Sequence, residues 1–207
     1  IGGKDSMSGT FNEIDVPPTL VSFAVDVAKE SDIITPELKA AGNKLVMFNI
    51  EKDQYDLPVY AQVMKLYDDI HALIQKGAII SAYALDGKGL AAAVSKMAFG
   101  NKLGVTINAD VTTDTLFAPG FGNIVAEVPA DKVAELHIEA AVIGEVTDDR
   151  TFTYGDVTIA LDEAQNAWTS TLDDVFRTVS GESDNAEVAS PLYEAKEIYV
   201  CKNKIAK

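Results

Sequence analysis

The sequence predicts an α/β (α+β) chain, a mixed β-sheet with helices packed on it, and three observations carry that expectation. Apolar residues recur at three- and four-residue steps between 57 and 74, which is the helical period. Short alternating or continuous apolar runs appear at 20–27, 44–50, 78–83, 105–107 and 123–128, and these have the length and composition of strands. The two kinds of segment alternate along the chain, an order that lays helices against a sheet. A chain of 207 residues buries roughly 70% of its unfolded surface, so a core of this kind is feasible.

Taken in order, residues 1–18 hold Gly2-Gly3-Lys4-Asp5-Ser6-Met7-Ser8-Gly9 and end at Pro17-Pro18, the chemistry of a loop or linker. The first strand is expected at 20–27, a turn or helix onset at 35–39, and a second strand at 44–50. Asp56 suits an N-cap and Pro58 a first helical turn. The helix behind them places Leu57, Tyr60, Ala61, Met64, Tyr67, Ile70, His71 and Ile74 on one face, and Gly77 closes it. A strand at 78–83 runs into Leu85-Asp86-Gly87-Lys88-Gly89, and a helix is expected from 90 to 99. Further on come strands at 105–107 and 123–128, a helix at 129–137, and strands at 140–146, 151–154 and 157–161. The last two join at Gly155-Asp156 as a hairpin. A final helix spans 162–176, residues 180–192 have linker composition, and 198–204 reads as a strand.

Composition excludes several functions. Lys and Arg number 17 against 32 Asp and Glu, a net charge of −15, and only Arg150 and Arg177 are arginines. A surface that tracks phosphate backbones needs the opposite sign, so no nucleic-acid partner is expected. No apolar run approaches the ~20 residues that span a bilayer, so no membrane partner is expected either. Cys201 is the only cysteine, which removes intrachain disulfides and thiolate clusters and fits a reducing, cytoplasmic setting. The start, Ile1-Gly2-Gly3-Lys4, has neither methionine nor a signal-peptide pattern. The chain is therefore expected to be a piece of a larger protein.

Three motifs could carry chemistry. In Gly2-Gly3-Lys4-Asp5-Ser6 the glycines let backbone N–H groups approach an anion, Lys4 supplies a point charge, Asp5 a hard-metal ligand and Ser6 a donor. The spacing is not that of a Walker loop, and an ordinary flexible turn competes with the ligand reading. Asp86-Gly87-Lys88-Gly89 lies at a strand–helix junction, where a helix N-terminus presents free N–H groups to an anion. Leu116-Phe117-Ala118-Pro119-Gly120-Phe121-Gly122 could edge a cleft or simply turn into the next strand. His71 and His137 are coupled by no motif to Cys201 or to a serine, so no nucleophile–base pair is legible.

The run Gly3-Lys4-Asp5-Ser6-Met7-Ser8, followed by Pro17-Pro18-Thr19-Leu20-Val21-Ser22-Phe23-Ala24, closely resembles the phosphoribosylformylglycinamidine synthase family. Tyr60-Ala61-Gln62-Val63, the Asp86–Leu90 junction, Met97-Ala98-Phe99-Gly100 and Leu116-Phe117 follow in the family's order, so the resemblance covers residues 2–178. It implies the fold of the C-terminal domain of aminoimidazole ribonucleotide synthetase. In the family's large form two such modules precede a glutaminase domain, and this chain resembles part of the second module. Residues 1–18 are then the tail of that module's N-terminal half, 19–179 its C-terminal domain, and 180–207 a linker toward a glutaminase.

The reaction implied uses ATP and Mg²⁺ to phosphorylate the amide oxygen of formylglycinamide ribonucleotide. Ammonia from glutamine then displaces phosphate to give the amidine. The second module holds an auxiliary ATP or ADP of structural role. Gly2, Gly3, Lys4, Asp5, Ser6, Gly87, Lys88 and Gly89 are the expected phosphate-binding residues, with Asp86 as metal ligand and no catalytic residue. The expected partners are the first module, the N-terminal half of the second and the glutaminase domain. A homodimer through an uncovered sheet face is a further expectation.

The resemblance departs at the junction, where relatives carry Ser-Asp-Gly-Gly-Leu and Gly87 here stands in place of the acid. Three arrangements stay open: a one-residue shift that brings Asp86 to the metal position, Lys88 meeting phosphate directly, or a junction without ligand. Ala118-Pro119-Gly120 also lacks the acidic residue that often follows Leu-Phe. The alternative function is a stand-alone nucleotide- or phosphate-binding module without a reaction.

Overall fold

The computed structural model describes residues 2–5 and 9–175. The chain divides into two compact units, Ile1–Gln165 and Asn166–Lys207. Ser6, Cys201, the linker at 180–192 and the strand at 198–204 lie outside the described residues.

In the first unit, strands β1 (Gly2–Asp5), β2 (Gly9–Phe11), β3 (Ile14–Val16) and β4 (Leu20–Phe23) come before the body of the fold. β1 pairs with β4 and β2 with β3, both antiparallel and both as separate two-stranded ribbons. The loop expected over 1–18 is thus largely extended and paired. Composition hid this, because its glycines stand inside β1 and β2, where they argue against a strand, and the ladder partner of β1 lies beyond Pro18. The strand expected at 20–27 stops at Phe23, where its four-residue register with β1 ends.

The body is a seven-stranded sheet in the order β11-β10-β7-β9-β5-β8-β6. Its strands are β5 (Lys44–Phe48), β6 (Ser81–Ala84), β7 (Gly104–Ile107), β8 (Ile124–Val128), β9 (Ala141–Thr147), β10 (Thr151–Tyr154) and β11 (Val157–Ala160). Only β7 and β10 run parallel, so the sheet is mixed as expected. The β10–β11 hairpin turns at Gly155-Asp156 as expected.

Helices cover both faces of the central strands. Leu45 and Met47 of β5 join the cluster around helix α2 (Gly89–Asn101), with Leu90, Ala93, Val94, Met97 and Ala98. Val46 and Phe48 point the other way and meet Leu66, Ile70 and Leu73 of helix α1 (Tyr60–Gln75). A strand buried on both faces loses polar alternation, which is why 44–50 is almost continuously apolar. Each of those three α1 side chains contributes about 1.5–3 kcal/mol by leaving water.

α1 differs from its expected packing. Tyr60 and Met64 are exposed, and the buried stripe is rotated onto Leu66, Ile70 and Leu73. Both stripes have the helical period, and the sheet selects one of them. Asp56 is not the N-cap. Val59 precedes the helix without a side-chain cap, and Asp56 sits in a turn at φ 62°. Asp53 orders that turn instead, its carboxylate accepting the N–H groups of Tyr55 (2.8 Å) and Leu57 (3.0 Å). Gly77 closes α1 as expected, at φ +68°.

Three smaller differences remain. The helix expected at 129–137 is a 3-10 segment, Ala130–Glu135. A short helix α3 (Thr113–Phe117) was not expected. Thr112 caps it by accepting the Thr115 N–H. Helix α4 (Leu161–Thr169) passes into a 3-10 turn at Ser170–Leu172, short of the expected end at 176.

Between β4 and β5, residues 35–43 have no regular structure but are held firmly. Leu38 is wholly buried. The Leu38 N–H donates to the Met97 carbonyl, and the Leu38 carbonyl accepts from the Asn101 side-chain amide. The Glu127 carboxylate in β8, also wholly buried, accepts the N–H groups of Lys39 (2.7 Å) and Ala40 (3.0 Å) and the Asn43 amide (2.6 Å).

Candidate functional site

The site is built where β6 hands the chain to α2. Leu85 is buried and its N–H donates to the Asn123 carbonyl. The Asp86 carbonyl accepts the N–H groups of Gly89 (3.3 Å) and Gly120 (3.0 Å). The second and third motifs of the sequence are thereby joined. Gly89 is a residue type this contact requires. Its φ is +73°, and a Cβ there would lie 2.6 Å from the Ala118 carbonyl oxygen and 2.8 Å from that of Leu116. Gly87 faces the Phe121 ring, 3.3 Å from where its Cβ would stand.

α2 starts without a side-chain cap and with no acid in its first turn. Its first N–H groups therefore keep the partial positive charge of a helix N-terminus. Lys88 is exposed immediately before it. The partly exposed Asp86 side chain accepts the Lys88 N–H on Oδ1 at 2.8 Å, which folds the loop on itself. Lys96, two turns further along α2, lies 3.8 Å from Asp86 Oδ2 and donates to the Tyr83 hydroxyl at 3.0 Å. It also lies over the Tyr83 ring, 5.4 Å from its centre. The Tyr83 hydrogen bond, with the Asp86 carboxylate adding to it, holds the Lys96 ammonium above the usual lysine range against the opposing effect of burial.

Beside the junction opens a cleft of about 410 Å³ lined by Leu85, Pro119, Gly120, Asn123, Asn49 and Thr115, among others. A second cleft of about 490 Å³ shares Met47, Asn49 and Ala141 with it and carries Glu51, Lys65, Asp69 and His137. Both lie on the first unit.

Asp86, Gly87, Lys88 and Gly89 thus stand together, while Gly2, Gly3, Lys4 and Asp5 stand in β1, whose ladder partner is β4 and which shares no ladder with the large sheet. Lys4 donates to the Asp5 carbonyl at 2.9 Å. Sequence reading missed Tyr83 and Lys96. The signal for Lys96 was present, since it is the only charged residue in α2. His71 is at an exposed rim, 3.8 Å from Asp32.

Mg²⁺, which the resemblance implies, does not fit Asp86 as placed. One carboxylate oxygen is committed to the loop and the other faces an ammonium. Among the described residues no three His, Cys, Asp or Glu side chains group to hold a metal ion. Among the same residues no helix is long and apolar enough to cross a membrane.

No protein-family model matches the chain. Solved structures do resemble it. PurL from Thermotoga maritima complexed with AMPPCP superposes with a TM-score of 0.55 at 13% identity, over 65% of this chain and 27% of that one. PurLQS from the same organism gives 0.56 at 12% identity over 65% and 28%. Its phosphoribosylformylglycinamidine synthase II gives 0.54 at 12% identity over 65% and 28%. This chain spans little more than a quarter of the length of those solved chains. With the seven-stranded mixed sheet and its packed helices, the likeness establishes the architecture: the chain has the aminoimidazole-ribonucleotide-synthetase-like fold found in PurL.

Proposed function

We propose that this chain is part of a formylglycinamide ribonucleotide amidotransferase, the ATP-dependent C–N ligase of purine biosynthesis that takes its ammonia from glutamine. One observation carries the reading: the fold found in PurL coincides with the Gly3-Lys4-Asp5-Ser6-Met7-Ser8 spelling in a single chain. Solved PurL chains of this fold are complexed with ATP, with ADP and with FGAR.

The role assigned to these residues is structural and auxiliary. The Gly87-Lys88-Gly89 turn and the uncapped start of α2 receive phosphate oxygens, with Lys88 as a mobile point charge. Gly2–Ser6 belong to a second edge of that half-site, completed by sequence of the parent protein. In this reading 1–18 is the tail of the preceding half-module, 19–179 the C-terminal domain and 180–207 the linker toward a glutaminase. The first module, the missing half-module and the glutaminase are its partners, within the cytoplasm.

The test is amidine formation from formylglycinamide ribonucleotide, glutamine and ATP. The product of the full reading frame that encodes these residues is expected to turn over, and the 207-residue chain is not. Turnover by the short chain alone, or none by the full product, overturns the reading.

A further inference from the structure

We infer that Lys96 is a built-in cation standing where a divalent metal would sit beside Asp86, so that the strand–helix junction recruits no Mg²⁺. This rests on the reading of the junction as a phosphate-facing turn and specifies how that turn carries its positive charge.

The argument is geometric. Mg²⁺ binds oxygen at about 2.0–2.1 Å and requires near-octahedral surroundings, usually one or two carboxylates with phosphates and waters. Asp86 is the only carboxylate at the junction loop, and its Oδ1 already accepts the Lys88 N–H, which leaves Oδ2 as the oxygen without a loop partner. A metal on Oδ2 would lie no further than about 6 Å from the Lys96 ammonium, which is itself 3.8 Å from that oxygen. The ammonium is not free to swing away. Its hydrogen bond to the Tyr83 hydroxyl and its place over the Tyr83 ring fix it from the strand side. With Gly87 and Gly89 as the other neighbours of Lys88 in the loop, no second carboxylate there offsets that repulsion.

Mn²⁺, which takes the same oxygen ligands as Mg²⁺ and broadens nearby resonances, is the probe. It is added alone to the ¹⁵N-labelled 207-residue chain. The wild-type chain should show no saturable broadening centred on the amides of residues 86–90. Lys96→Met, which keeps the stem and removes the charge, should bind Mn²⁺ there at least about tenfold more tightly. Lys96→Arg should behave as wild type. Dispersed amide spectra of both variants show that they remain folded. Saturable broadening at 86–90 in the wild type, or no gain in Lys96→Met, overturns the inference. Because no nucleotide is present, failure here is distinguishable from failure of the proposed function, which is read from turnover.

Discussion

At the residue scale, Glu127 shows how one side chain can anchor a segment without regular structure. Its carboxylate is wholly buried and receives three N–H donors from residues 39, 40 and 43. Burying a charge of this kind is tolerable only with such partners. Glu127→Ala removes the acceptor of three part-buried donors and leaves a cavity where the side chain was wholly buried. It should lower unfolding free energy by about 3 kcal/mol or more, with Glu127→Gln less damaging because it keeps one acceptor oxygen. Urea denaturation of the two variants checks the order. Gly89 is a separate case, set by space and backbone. Gly89→Ala adds left-handed strain of about 1–2 kcal/mol to a steric conflict with the 116–118 backbone. The same measurement should show a loss above that range, and a loss below it would mean that the 116–122 turn gives way.

The start of α1 is decided at the scale of the element. Asp53 and Asp56 are both acids just ahead of a helix, and only one of them orders the turn. Asp53→Ala should cost about 1 kcal/mol by releasing two backbone donors. Asp56→Gly should cost nothing and can add up to about 1 kcal/mol, because Asp56 holds a positive φ and its pair with Lys52 is at the surface. Midpoints from thermal or urea unfolding separate the two. The 35–40 segment has an acid-sensitive contact of its own. Lys39, and after it Thr35, hydrogen-bond the Glu37 carboxyl and hold it at about 2, against an ordinary value of 4.5. A depressed carboxyl adds stability that is present above its unfolded value and lost as pH falls toward the folded one. Between pH 4.5 and about 2 the melting temperature of Glu37→Gln should therefore fall less steeply than that of the parent chain.

Burial is unevenly distributed among the described residues. β5 and β8 are buried on both faces, whereas the ribbons formed by β1–β4 leave Phe11, Ile14, Leu20, Val21 and Phe23 exposed. Two-stranded ribbons are marginal in water without a further layer. Hydrogen exchange should give near-global protection in β5, β8 and β9 and little in residues 2–5 and 9–23. Equal protection in both regions would show that the ribbons are covered in solution.

Local chemistry was enough to read much of this protein. Mostly apolar runs located β5 and β8, Gly77 closed α1, and Gly155-Asp156 made the β10–β11 hairpin, because each depends on neighbours a few residues away. The Asp86–Gly89 junction was legible for the same reason, as a glycine turn at the end of a strand. Partners distant in sequence were not legible. Asp86 with Lys96 and Tyr83, Glu127 with the 35–43 segment, and β1 with β4 are pairings that the fold creates. α1 states the difference most simply: two stripes share one period, and only contact with the sheet decides which is buried. The sequence by itself thus determined the strands of the large sheet, helices α1 and α2 and their order, which follow from periodicity and turn chemistry, but not the strands within 2–16 or α3. Only the tertiary structure decided which faces pair and which charges meet, because those energies arise between residues that are brought together when the sheet closes.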